Sequence, residues 1–258
     1  MALDLKYRVK NALYRWTPGG FGHYRKLREL RDGGYEHARD KHPVREKHHG
    51  GGGWREPGGD SLRYRDYANY DEYLTHQVQK LDEMIKMRGG FSNLEIAAYR
   101  LKFHQRFSRL PPDLSRSARI VCLGARQGTE VEVLRDLGYN NAYGVDLNPG
   151  PANTLVRVGD FMKLEETDGS IDMVYCNAID HAFDLNAFFA EHARVLQPDG
   201  YALYDIAVQN GGAFESAEWD SEETVFMIML RHFRRVVRVE SEPAWKWVLL
   251  KGPRLASA

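Results

Sequence analysis

Sulfur is scarce in this chain: two of its 258 residues are cysteines, too few for a disulfide framework. Cys122 lies in RIVCL and Cys176 in DMVYCN, both apolar runs that read as buried strands, so reduced thiols and a reducing, cytoplasmic setting are expected. Long apolar segments are missing too. No run approaches the roughly 20 residues of a membrane-spanning helix, and MALDLKYRVK lacks the continuous apolar core of a signal peptide. Net charge is also absent, with 36 Lys and Arg against 36 Asp and Glu, which gives no ground for bulk nucleic-acid binding. What remains is 43% hydrophobic and 28% charged residues, a balance that excludes a fibrous or wholly disordered chain and allows a full core.

The charge that is present is unevenly placed. The first fifty residues hold about twice as many basic as acidic residues and half of the histidines. Leu5, Val9, Leu13 and Trp16 recur at helical spacing among Lys6, Arg8, Lys10 and Arg15, so residues 1–32 read as a basic amphipathic helix, packed on its own domain or touching a membrane surface or partner. Residues 33–60, including KHHGGGGW, have no apolar period and read as a flexible linker. His48 and His49 have no Cys or carboxylate at ligand spacing, so no metal is expected.

Residues 61–116 read as a helical lead-in or lid. A first helix carries Tyr70, Leu74, Val78, Leu81 and Ile85 on one stripe, and a second opens with a Ser92/Glu95 capping box and a Phe91 staple and stops at Pro111 and Pro112. From 117 to 258 short apolar runs alternate with amphipathic helices, the mark of βαβ units. Seven strands are predicted: 119–123, 142–146, 154–158, 172–177, 201–207, 235–240 and 245–250. The last two, joined by a turn at Ser241–Pro243, form an antiparallel hairpin, so the fold class is α/β: a Rossmann-like, mostly parallel seven-stranded sheet after a helical N-terminal segment.

The first strand runs into Gly124-Ala125-Arg126-Gln127-Gly128, with a helix from about Thr129; glycines there let the backbone turn tightly and approach a nucleotide-like ligand. About twenty residues on, the second strand ends at Asp146, a carboxylate placed to accept from ribose hydroxyls. A dinucleotide fingerprint would need glycines where Arg126 and Thr129 stand, which disfavours a nicotinamide oxidoreductase. Gly124, Gly128, Asp146 and Asp160 also have plainer readings as turn and capping residues.

The glycine spacing instead resembles that of class I S-adenosylmethionine-dependent methyltransferases, and YGVDLNPG, VGDFMKL, IDMVYCNAIDHAFD and HARVLQPDGYALYDI follow in that family's order. The resemblance implies S-adenosylmethionine as cofactor. By it, Gly124, Ala125 and Gly128 form the loop, Asp146 with Leu147 meets the ribose, Asp160 with the backbone of Phe161 meets adenine, and Asn177 lies beside the methionine portion. Two places depart from the family pattern. Cys122 stands where an acid is usual and Arg126 where the middle glycine is, and Glu130 at the helix start is the expected substitute for the acid.

Methyl transfer to a hydroxyl benefits from a base, and the end of the fourth strand offers His181, with Asp180 beside it and Asp184 close by. The expected acceptor is a small molecule, sugar-type or otherwise hydroxylated, with the lead-in helices and Gln209, Asn210, Gly211 and Gly212 as parts of its wall. No clustered base-stacking aromatics point to RNA. The altered Cys122 and Arg126 positions also suit a non-catalytic cofactor-binding or scaffold protein.

Overall fold

The computed structural model describes residues 53–56, 62–88, 93–150, 153–206, 214–242 and 245–254. The basic segment 1–32, most of the 33–60 linker, the Ser92 capping box and Gln209–Gly212 lie outside the described residues.

Ten strands occur among the described residues. Seven make the main sheet: β3 (Ile120–Leu123), β4 (Ala142–Asp146), β5 (Val156–Val158), β6 (Ile171–Cys176), β7 (Leu196–Ile206), β9 (Phe233–Glu242) and β10 (Trp245–Pro253). Their order is β5-β4-β3-β6-β7-β10-β9. The first five are parallel, while β10 runs antiparallel to both β7 and β9. This is the Rossmann-like sheet with a terminal hairpin that the alternating pattern predicts. Every strand begins or ends within a few residues of its expected place except β7, which starts at Leu196 rather than 201.

The strands read as continuous apolar runs because the sheet is covered on both faces. Ile120, Cys122, Met173, Tyr175, Leu203 and Trp247 point to one face, where α3 (Thr129–Asp136) adds Val131, Val133 and Leu134. Val121, Leu123, Val174, Cys176, Ala202, Tyr204 and Val248 point to the other, covered by α4 (Leu185–Val195) and α5 (Glu222–His232). Asp184 caps α4 by accepting from the Ala187 N–H at 2.7 Å, which fixes where that helix leaves the end of β6. Both cysteines are buried and free, as expected.

The lead-in supplies α1 (Tyr70–Arg88) and α2 (Asn93–Phe107). Phe103 and Phe107 of α2 stack at 5.8 Å and meet the edge of Tyr175 at 5.9 and 4.9 Å, seating α2 beside α3. The stripe expected on α1 is corrected by the structure: Leu74 is only half-buried and Val78 is exposed, whereas Tyr73 is fully buried. A period of four picked the wrong row because the residues facing the protein here are tyrosines and polar side chains with bonded tips.

A second sheet was not expected. β1 (Trp54–Arg55), β2 (Leu62–Arg65) and β8 (Ala217–Trp219) pair antiparallel in that order. Two residues of the predicted linker are thus a strand, and the predicted helical lead-in starts with another. The Leu185 N–H donates to the Tyr64 hydroxyl at 3.0 Å, tying this sheet to α4. Among the described residues no helix is long and apolar enough to cross a membrane.

Candidate functional site

The chain runs β3-β4-β5 outward on one side and then returns to place β6 on the other side of β3. Ligands of open α/β sheets bind at the carboxyl ends of the strands where the order reverses. Here that point lies between the loops after β3 and β6, where Gly124 meets Ala178: a Cβ on Gly124 would fall 2.9 Å from the Ala178 Cβ. Gly124 also has φ 66°, and Gly128, which precedes α3, has φ 86° with space for a Cβ closed by Val156 Cγ2 at 2.9 Å. Both positions therefore require glycine twice over, for conformation and for room.

Arg126, between them, has φ 47°, the only non-glycine residue with positive φ among the described residues. The left-handed turn of a glycine loop is kept here by a side chain that pays a steric cost for it. What holds it is its own N–H, which donates to Asp146 Oδ2 at 2.8 Å. Asp146 Oδ1 accepts from the Asn148 N–H, also at 2.8 Å. Asp146 thus clasps the glycine loop to the end of β4, and each of its oxygens keeps a second lone pair for a ligand. Leu147 beside it is half-buried, and Ala125 is buried under the loop.

Asp160 follows β5. Its Oδ1 accepts from the Met162 N–H at 2.8 Å, and its Oδ2 accepts from the hydroxyl of Tyr70, the first residue of α1. Phe161 is buried with its ring 3.7 Å from where a Gly124 Cβ would stand. Its carbonyl accepts from His192 Nε2 at 3.3 Å, and His192 Nδ1 takes the Tyr204 hydroxyl at 2.9 Å. Burial pushes that imidazole down to about 3, so it is neutral and serves as a fixed strut behind the Asp160–Phe161 loop.

Glu130 lies in the first turn of α3 with 5% of its surface exposed. Burial raises its carboxyl to about 8, with Arg126 opposing and Asp146 and Asp205 adding to the rise. Its charge in turn helps burial to push up the Cys122 thiol, so the carboxyl stands near the side chain that replaces the usual acid.

Past β6, Asn177 is half-buried and a 3-10 turn, Ile179–His181, sets the catalytic candidates. His181 is 8% exposed and its Nδ1 lies 2.9 Å from the Phe214 carbonyl. A carbonyl only accepts, so the Phe214 bond keeps a proton on Nδ1, while Nε2 lies 3.9 Å from Asp180 Oδ1. Tyr73 holds the turn by donating to the His181 carbonyl at 3.1 Å. The structure therefore brings the ends of β3, β4, β5 and β6 together with every predicted site residue on or beside them. Tyr70, Tyr73 and Phe214 were missed. The signal for two of them was the tyrosine spacing in RDYANYDEYLTH, which is richer in aromatics than a solvent-facing helix needs.

The donor set suits a sulfonium nucleoside. Asp146, Asp160 and Glu130 put carboxyl groups about the ends of β3, β4 and β5, where a pyrophosphate would call for cations. A family profile described as a methyltransferase domain matches residues 121–204. No curated protein matches the chain. Among solved structures, a *Burkholderia thailandensis* 1,6-didemethyltoxoflavin-N1-methyltransferase with bound S-adenosylhomocysteine is 14% identical, with 78% of this chain and 99% of that one covered at a TM-score of 0.57. A *Haemonchus contortus* phosphoethanolamine N-methyltransferase is 14% identical, covering 75% of this chain and 62% of that one at 0.53. A *Haloferax volcanii* methyltransferase in complex with its Trm112 activator is 18% identical, covering 71% and 98% at 0.51. These likenesses are of fold, and the family match identifies residues 121–204 as a methyltransferase domain.

Proposed function

We propose that this domain methylates a hydroxyl of a small acceptor, sugar-type or otherwise, with His181 as the base. The observation that carries this reading is the bond of His181 Nδ1 to the Phe214 carbonyl, which keeps a proton on Nδ1 and makes Nε2 the nitrogen through which the ring would exchange one. The bound cofactor supplies an activated methyl group, so the protein's tasks are to orient the acceptor and to keep water out. In this reading Asp146 takes the ribose hydroxyls, Asp160 the adenine amino group, and Glu130 the amino group of the methionine portion, with Asn177 alongside. Gly124, Ala125 and Gly128 let the backbone approach the ligand, Leu147 and Phe161 flank it, and Asp180 steadies the imidazolium as His181 takes the acceptor proton.

An amine acceptor is the second reading, favoured by the N-methyltransferases among the structural neighbours. The deciding test begins with calorimetric binding of S-adenosylhomocysteine to the wild type and to Asp146→Ala. Tight binding that weakens in the variant supports the ribose site. An acceptor screen then follows. With a hydroxyl acceptor, His181→Ala should keep cofactor affinity and lose about 10²–10⁴-fold in kcat; unchanged turnover rejects the base. Folded protein that binds no S-adenosylhomocysteine rejects the catalytic reading.

A further inference from the structure

One helix is bonded to the loops after three of the four strands that shape the site, β4, β5 and β6, and to the segment ahead of β8. Tyr70 of α1 donates to Asp160 after β5, and Tyr73 donates to the His181 carbonyl after β6. Gln77 Nε2 donates to the Phe214 carbonyl at 2.9 Å and to Ser216 Oγ at 2.8 Å, ahead of β8. The Val78 carbonyl accepts from Asn148 Nδ2 at 3.3 Å, after β4. α1 is therefore a cover laid across the carboxyl end of the sheet. Each tie is one hydrogen bond, so the cover is held firmly in sum and weakly at any one point.

The Tyr70 tie differs from the rest in what it occupies. The others end on main-chain carbonyls, the Ser216 hydroxyl or the Asn148 side-chain amide, whereas the phenol sits on the carboxylate assigned to adenine. Oδ1 of that carboxylate accepts from the Met162 N–H, so the phenol covers the oxygen that the backbone of its own loop does not use. The phenol cannot simply tip aside, because its ring is 5.2 Å from both Tyr73 and Phe183, against the second of them edge-on. Burial and the Asp160 charge both push the Tyr70 hydroxyl upward in pKa, so it stays a protonated donor.

We propose that Tyr70 gates the cofactor site, its hydroxyl and the adenine amino group exchanging on Asp160 Oδ2, so that cofactor entry releases the first turn of α1 from the sheet. The inference rests on the adenine role read for Asp160. It makes Tyr70 a positioning residue whose hydroxyl favours the closed, empty protein, because the empty form gains a hydrogen bond that the loaded form gives up.

The test is calorimetric binding of two probes, S-adenosylhomocysteine and S-inosylhomocysteine, which lacks the 6-amino group, to wild type, Tyr70→Phe and Asp160→Asn, each checked for folding by circular dichroism. Tyr70→Phe should bind S-adenosylhomocysteine about three- to tenfold more tightly, the span of one modest hydrogen bond. Its affinity for the inosine compound should stay at the wild-type value, whereas loosened packing would move both probes together. Hydrogen exchange of the first turn of α1 should rise on adding S-adenosylhomocysteine to the wild type. If Asp160→Asn weakens S-adenosylhomocysteine binding but Tyr70→Phe leaves it unchanged or weaker, the gate is wrong and the adenine reading stands. If Asp160→Asn leaves binding unchanged, the adenine reading is wrong and the gate falls with it.

Discussion

Arg106 and Asp205 form an ion pair at 3.0 Å with neither side chain exposed, joining the last turn of α2 to the end of β7. The Tyr175 hydroxyl donates to the same Asp205 oxygen at 3.1 Å and Lys102 approaches it at 3.5 Å. Three groups thus converge on Oδ2, while Oδ1 is buried with no hydrogen-bond partner among the described residues. A buried pair adds little over apolar residues of the same shape, but breaking it strands a charge. Arg106→Met should therefore cost about 3–5 kcal/mol in urea unfolding. Adding Asp205→Asn to it should recover a large part, and a double variant no better than the single one refutes the pairing argument.

The glycine loop predicts a contrast between neighbours. Gly128→Ala must place a Cβ 2.9 Å from Val156 Cγ2 at φ 86°, so it should lower stability by about 1–3 kcal/mol. Arg126→Gly relieves a left-handed residue at φ 47° and keeps the N–H that Asp146 accepts. Thermal melts should show the first variant well below wild type and the second within about 1 kcal/mol of it or above.

Glu130 sets a pH dependence on the alkaline side. Its folded pKa, about 8, is raised above the unfolded value, so between about 4.5 and 8 the folded state holds the extra proton and stability falls as pH rises. The steepest slope is about 1.4 kcal/mol per pH unit for one proton. Glu130→Gln should flatten that slope in denaturant titrations at several pH values. Should an ammonium group of the cofactor settle on this carboxyl, binding near pH 7 should release a proton, which calorimetry in buffers of different ionisation enthalpy will detect.

His192 works on the acid side. Its folded pKa of about 3 lies below the unfolded value near 6.5, so its contribution is intact above 6.5 and is lost as pH falls from there toward 3. His192→Gln should remove that acid-side loss in melts between pH 4 and 7 and should loosen the Phe161 loop, read as faster hydrogen exchange across residues 160–164. A wild-type melt that does not change over this range counts against a neutral, buried imidazole.

The main sheet was legible because its strands obey rules that act over a few residues: runs of Val, Ile and Leu buried on two faces and glycines at a strand-to-helix turn. The glycine loop and the ends of β4, β5 and β6 followed from the same local patterns. What escaped was set by contacts far apart in sequence. Nothing in LRYR announces a strand until AEW arrives to pair with it, and nothing in Arg106 or Asp205 alone foretells a buried pair. On α1, apolar period pointed to Leu74 and Val78, while the inward face is built from Tyr73 and Gln77, whose polar tips find partners on other loops.

The small sheet has one more consequence. Arg65 of β2 donates through Nε to the Glu215 carbonyl, 150 residues further along, and Leu62 pairs with Trp219. The parallel strands β3 to β6 can associate from nearby segments, but the strand that leads into α1 has only the two residues of β1 beside it until β8 exists. The small sheet is therefore completed only by closing a loop of about 150 residues, an entropically slow step that leaves the outer support of α1 among the last contacts to form.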